Sequence, residues 1–139
     1  MPRKTDSSIP ADWLWIAESD LPMIRAAAQG EFSFGAARSK LAEVLEKVLK
    51  AELIRLGWPL EKTHDLDRLL QAMSERHSPF VAGAEPLCDA LAEFYFSNRY
   101  PGFDLDDPDW PALRTQVEQV AALLAAVQAR VAAPKAPSP

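Results

Sequence analysis

Cysteine occurs once in these 139 residues, at Cys88, which excludes a disulfide framework and any zinc module built on several thiolates. Glycine is also sparse. The five glycines, at 30, 35, 57, 83 and 102, are too scattered for a phosphate-cradling loop or a dinucleotide fingerprint. Positive charge is in deficit, with 15 Lys and Arg against 20 Asp and Glu, a net −5 that disfavours a globally cationic nucleic-acid binder but leaves room for a local basic patch. No apolar run is long. The best, residues 120–133, is broken by Gln128 and Arg130 and falls short of the ~20 residues of a membrane helix. Residues 1–8 carry Arg3, Lys4 and Asp6 with no apolar run behind them, unlike a secretory signal, so a cytoplasmic location with no membrane contact is expected. Alternating strand patterns between turn pairs are almost absent.

What is present is the mixture of an ordinary globular protein, 48% apolar and 25% charged, in one domain's length. The domain is expected over residues 10–132, between a disordered segment at 1–9 and a frayed tail at 133–139 that holds three prolines. Helical spacing recurs throughout. Leu14, Ala17, Leu21, Ile24 and Ala28 form a first stripe flanked by Trp13 and Trp15 and ended by Gly30, with Pro22 expected to kink the helix near Ser19 and Asp20. A second helix is predicted over residues 33–56, with Leu41, Leu45, Val48, Leu49, Leu53 and Leu56 on one face and Gly57 closing it. Its other face carries Lys40, Glu43, Glu46, Lys47 and Lys50, where Glu43 with Lys47 and Glu46 with Lys50 stand four apart in the favourable order. Glu52 breaks this pattern and requires a bundle edge, a subunit contact or a neighbouring cation.

A short third helix follows Thr63 and Asp65 through Leu66, Leu69, Leu70 and Met73, up to a break at residues 79–83. A fourth takes Leu87, Leu91, Phe94 and Tyr95 and stops by Pro101 and Gly102. Asp109 caps a last helix in which Leu113, Val117, Val120, Leu124, Val127 and Val131 form a seam. Short connections imply antiparallel neighbours, hence an all-α, up-and-down antiparallel four-helix bundle with an additional short helix. Charge is uneven along it. Residues 85–118 hold eight acids against Arg99 and Arg114, net −6, and the rest of the chain is +1. An anionic ligand would have to meet the basic face of the second helix or Arg99.

Few residues offer chemistry. His64 reads either as part of a helix cap or as a neutral imidazole acting as acid, base or phosphate contact. His77, at a helix end beside Ser78 and Pro79, reads as solvent-exposed. In the turn from Arg99 to Gly102, a guanidinium beside the Tyr100 ring could hold a phosphate and stack a base. Equally, Arg99 could close a helix end with Tyr100 as a wedge. The acidic run from Asp104 to Asp109 fails as a calcium loop, which would need Gly at Asp109 and Glu at Thr115, so no metal or other cofactor is expected. Cys88 reads as a buried structural thiol.

Four segments, in order, carry a resemblance: WLWIAESDL at 13–21, EKVLKAELIRLG at 46–57, THDL at 63–66 and YFSNRYPG at 95–102. In this order on a helical chain, the sequence resembles the HEPN domain family over residues 12–131. The resemblance implies a bundle that dimerises, with ligand or RNA chemistry at the cleft between two subunits. Many members are toxins paired with a minimal nucleotidyltransferase antitoxin, and the active ones are metal-independent ribonucleases. Their signature is an Arg followed, after four to six residues, by a His, the Arg holding the scissile phosphate while the His moves protons. Here that Arg is missing. Gly57, Trp58 and Pro59 stand where His64 would need it, and Leu70, Gln71 and Ala72 where His77 would. The Gln pair that many relatives carry ahead of Glu-Lys is replaced by Ala42 and Glu43.

The expectation is therefore a non-catalytic nucleotide- or RNA-binding or regulatory module, a homodimer with a possible nucleotidyltransferase partner and no residue assigned to catalysis. Arg99 and Tyr100 are its first candidate phosphate or nucleotide contacts, His64 follows, and Lys47 and Lys50 come third. Two alternatives stay open: a ribonuclease toxin that assembles His64 and Arg99 in space, and a pure protein-interaction scaffold.

Overall fold

In the computed structural model the described residues are 7–92 and 108–133, and they form five α-helices. These are α1 (Pro10–Gly30), α2 (Phe34–Arg55), α3 (Leu66–Glu75), α4 (Val81–Ala92) and α5 (Trp110–Ala132). The all-α bundle expected from the spacing is what the chain builds.

Proline opens α1, where its missing N–H costs nothing. The preceding residues are tied down: the Ser7 hydroxyl donates to the Asp12 carboxylate at 2.6 Å, and the Trp13 indole N–H donates to the Ser7 carbonyl at 2.8 Å. The predicted stripe of Leu14, Ala17, Leu21, Ile24 and Ala28 is buried, and α1 runs unbroken through Pro22, whose own position faces solvent. The left-handed residue that ends α1 is Glu31, at φ 57°, and not Gly30. A Cβ at Gly30 would come within 2.8 Å of the ring of Phe32, an exposed side chain that would have to swing aside. Ser33, also left-handed at φ 52°, completes the reversal into α2.

The middle of the bundle is α2, which packs against each of the other four helices. From Val44 to Leu53 only Lys47 escapes burial, so this stretch is enclosed on all sides rather than on one stripe. Each fully buried leucine here, such as Leu45 or Leu49, contributes about 2 kcal/mol of transfer free energy. The predicted solvent face of α2 is accordingly wrong at two positions. Glu46 is 7% exposed and Lys50 3%, because α1 and the segment leading into α3 cover a side that periodicity assigned to water. Glu43 does not take Lys47 as its cation; Lys40 bridges Glu43 at 3.0 Å and Asp20 of α1 at 3.7 Å.

Gly57, at φ 87°, ends α2 with the Trp58 N–H bonded back to the Leu53 carbonyl and its own N–H to Ile54. Asp65 caps α3, its carboxylate accepting from the N–H groups of Asp67 and Arg68. The next helix starts earlier than expected: α4 begins at Val81 and takes in Gly83, inside the predicted break. Phe94, Tyr95 and the rest of that predicted helix lie outside the described residues. The Asp109 carboxylate accepts from the Ala112 N–H at the start of α5, and the predicted seam there is buried from Leu113 to Val127. Phe34 and Trp110 meet edge to face, 5.0 Å between centroids, and tie the starts of α2 and α5 together.

Candidate functional site

Two ionisable side chains, one from α2 itself and one from the segment before α3, converge on Glu46. One turn further along α2, the Lys50 ammonium donates to Glu46 Oε2 at 3.1 Å, and it also lies 5.4 Å from the centroid of the Trp13 ring on α1. From the segment before α3, His64 brings Nδ1 to 3.0 Å from Oε1 and 3.2 Å from Oε2 of the same carboxylate. Burial grades outward. Lys50 and Glu46 are interior, whereas the imidazole has two-thirds of its side chain in solvent.

The physical logic is cumulative. A buried carboxylate needs a cation and hydrogen-bond donors, and Lys50 supplies the first from the same helix. Lys50 alone leaves acceptor capacity on Glu46, which the His64 ring N–H takes up from a segment 18 residues away in sequence. The cap at Asp65, immediately after His64, fixes the backbone that presents the ring.

His64 stands on the rim of a cavity of about 410 Å³. Its lining includes Ala42 and Glu46 from α2, Lys62 and Asp65 beside the ring, and Asp67 and Ala92 from α3 and α4. The size falls within the range of sites for small organic ligands. Among the described lining residues other than His64, Glu46, Asp65 and Asp67 are acidic and Lys62 is basic. Among the described residues no group of three or more His, Cys, Asp or Glu is arranged to hold a metal ion.

In two other grooves the guanidinium groups of Arg25, Arg114 and Arg68 are engaged by the chain itself. Between α1 and α5, Arg25 forms a two-pronged pair with Glu118 at 2.9 Å, and its hydrogen bonds hold the Glu118 carboxyl below the usual carboxylate range. Arg114 donates there to the Ala28 carbonyl at 3.1 Å. In a groove of about 290 Å³ beside Trp58, Arg68 pairs with Glu61 at 2.8 and 3.1 Å and lowers the Glu61 carboxyl in the same way.

Of the residues singled out in the sequence, the structure brings His64 and Lys50 to one carboxylate and leaves Lys47 half-buried on α2. Lys50 is not on an open basic face; its ammonium is spent on Glu46 and covered by Trp13. Arg99 and Tyr100 lie outside the described residues, as do Asp104, Asp106 and Asp107. Glu46 is the residue that sequence reasoning missed. Its pairing with Lys50 was legible at four-residue spacing, but only the return of the chain at His64 turns that pair into a site.

The family model of the HEPN domain matches residues 10–129, nearly the whole helical body just described. The chain belongs to the HEPN domain family. No curated protein and no solved structure gives a significant match. For this HEPN chain the positions where a nuclease arginine would precede His64 form the stop of α2: Gly57 is left-handed, Trp58 is buried, and Pro59 follows. Among the described residues, no helix is long and apolar enough to cross a membrane.

Proposed function

We propose that this HEPN domain is a binding or regulatory module that takes a nucleotide, free or within RNA, at the His64 cavity without cleaving it. The observation that carries the reading is a fixed imidazole on the rim of a ligand-sized cavity, with the stop of α2 where the catalytic arginine of a HEPN ribonuclease would be. An imidazole held in place by a carboxylate can bind and orient a polar group. At the motif's own position no guanidinium stands to stabilise charge on a phosphate in flight. Assembly as a homodimer and docking to a minimal nucleotidyltransferase belong to the same proposal and rest on family membership.

Isothermal titration of adenosine, guanosine, cytidine and uridine monophosphates against the full chain tests the reading. His64→Ala is expected to weaken binding about tenfold, the loss of one hydrogen-bonded contact. Absence of binding by all four to the unmodified chain overturns it. RNA incubated with the protein and a chelator is expected to stay intact. Cleavage that disappears in His64→Ala would instead establish the ribonuclease alternative.

A further inference from the structure

The groove of about 290 Å³ beside Trp58 follows one face of α3, where Arg68, Gln71, Ala72, Glu75 and Arg76 recur at helical spacing away from the buried Leu66, Leu69 and Met73. Trp58 and Pro59, at the stop of α2, line it as well. The Trp58 backbone is fixed there by its N–H bond to the Leu53 carbonyl at 2.9 Å. Among the described residues this groove and the His64 cavity share no lining residue.

Two donors on the wall are unmatched. Trp58 is 6% exposed, yet among the described residues its indole N–H meets no acceptor, whereas the Trp13 indole has the Ser7 carbonyl. Arg76 is half-buried, and among the described residues its guanidinium has no hydrogen bond and no ion pair. It acts on Glu61 through space alone, where its charge adds to the hydrogen bonds from Arg68 that lower that carboxyl. Arg68 shows what a guanidinium takes on this face, a two-pronged grip on a carboxylate. Glu75 carries the opposite charge, and its one hydrogen bond among the described residues, from the Gln71 amide at 3.4 Å, leaves acceptor capacity on the carboxylate.

We propose that this groove binds a free α-amino acid with an apolar side chain, its carboxylate on Arg76 and the Trp58 indole N–H, its ammonium on Glu75, and its side chain against Pro59 and Ala72. An indole N–H and a guanidinium only donate, so their partner is an acceptor, and one carboxylate has oxygens for both. Alone, that carboxylate would be repelled by Glu75, the neighbour of Arg76 in the chain. An ammonium on the same carbon turns the repulsion into a second contact. The volume lies near the lower end of small-molecule sites, which suits a ligand of this size. The site stands independently of the nucleotide reading.

The test follows the Trp58 indole N–H by proton–nitrogen NMR of the full chain during titration with L-valine, L-leucine and L-phenylalanine. At least one of them is expected to move the signal downfield to saturation, as the N–H gains a charged acceptor. For the tightest of the three, Arg76→Gln is expected to weaken binding at least tenfold, and so is conversion of the ligand carboxylate to its amide. Arg76→Lys, which keeps the charge without the fork, is expected to recover part of the loss, and it decides should Arg76→Gln not fold. Removal of the ligand's amino group is expected to weaken binding about tenfold in the unmodified protein and to change little in Glu75→Gln. No saturable shift with any of the three overturns the proposal, as does an amide that binds as tightly as the acid. A deaminated ligand that binds the unmodified protein as tightly as the amino acid overturns the role of Glu75 and with it the zwitterionic ligand.

Discussion

Glu52 has no exposed surface, while the guanidinium that neutralises it is about a quarter exposed, so the two ends of this pair answer differently to removal. Arg55 grips the carboxylate at 2.7 and 3.0 Å, and the Ser78 hydroxyl donates to it from the turn before α4. Loss of the cation strands a buried charge, so Arg55→Met is expected to cost about 3 kcal/mol. Glu52→Gln keeps an acceptor for Ser78 and frees a guanidinium that can turn to water, for about 1 kcal/mol. Denaturant unfolding of both variants checks the order, and a reversed order contradicts it. Of the options that the sequence leaves open for Glu52, the neighbouring cation is the one the described residues show. At Glu46 and Lys50 the sequence reading fails, because periodicity measures which face is apolar and not how many faces are covered.

Helix ends show where local chemistry is legible and where it is not. The same terminating motif closes α2 and α3, with backbone N–H groups bonded to the carbonyls three and five residues back around a left-handed residue. In α2 that residue is Gly57, and the stop could be read from the sequence. In α3 it is His77, at φ 56°, which the sequence presents as nothing more than a solvent-exposed histidine. His77 donates from its backbone to Ser74, and Ser78 to Met73. A side chain pays for that conformation, so His77→Gly is expected to stabilise the protein by about 0.5 to 1 kcal/mol. A thermal or denaturant midpoint that does not rise contradicts the backbone argument. Caps built from side chains are legible by contrast, and Asp65 and Asp109 each accept the helix N–H groups that their positions promised.

At the scale of the molecule, burial of α2 on all sides makes the core one unit, and Cys88 reports on it. The thiol is wholly enclosed, and burial pushes it up to about 12, so thiolate is scarce at neutral pH and rises only well into the alkaline range. Alkylation by iodoacetamide at pH 8 is therefore expected to be slow in the native protein and to accelerate with denaturant in step with the loss of helical signal. Rapid labelling without denaturant would show that α4 opens locally while the rest stays folded.

Local sequence determined the helices themselves, their Asp caps, the Gly57 stop and the apolar seams of α1, α2 and α5, because each depends on residues within a turn or two of one another. It also determined that no arginine precedes His64 at nuclease spacing. Only the tertiary structure decided that α2 is enclosed, that Glu46 and Lys50 lie inside, and that His64 returns across 18 positions to share their charge. The reason is that a carboxylate's partner is set by whatever packs against it, and that distance is fixed only when the helices meet.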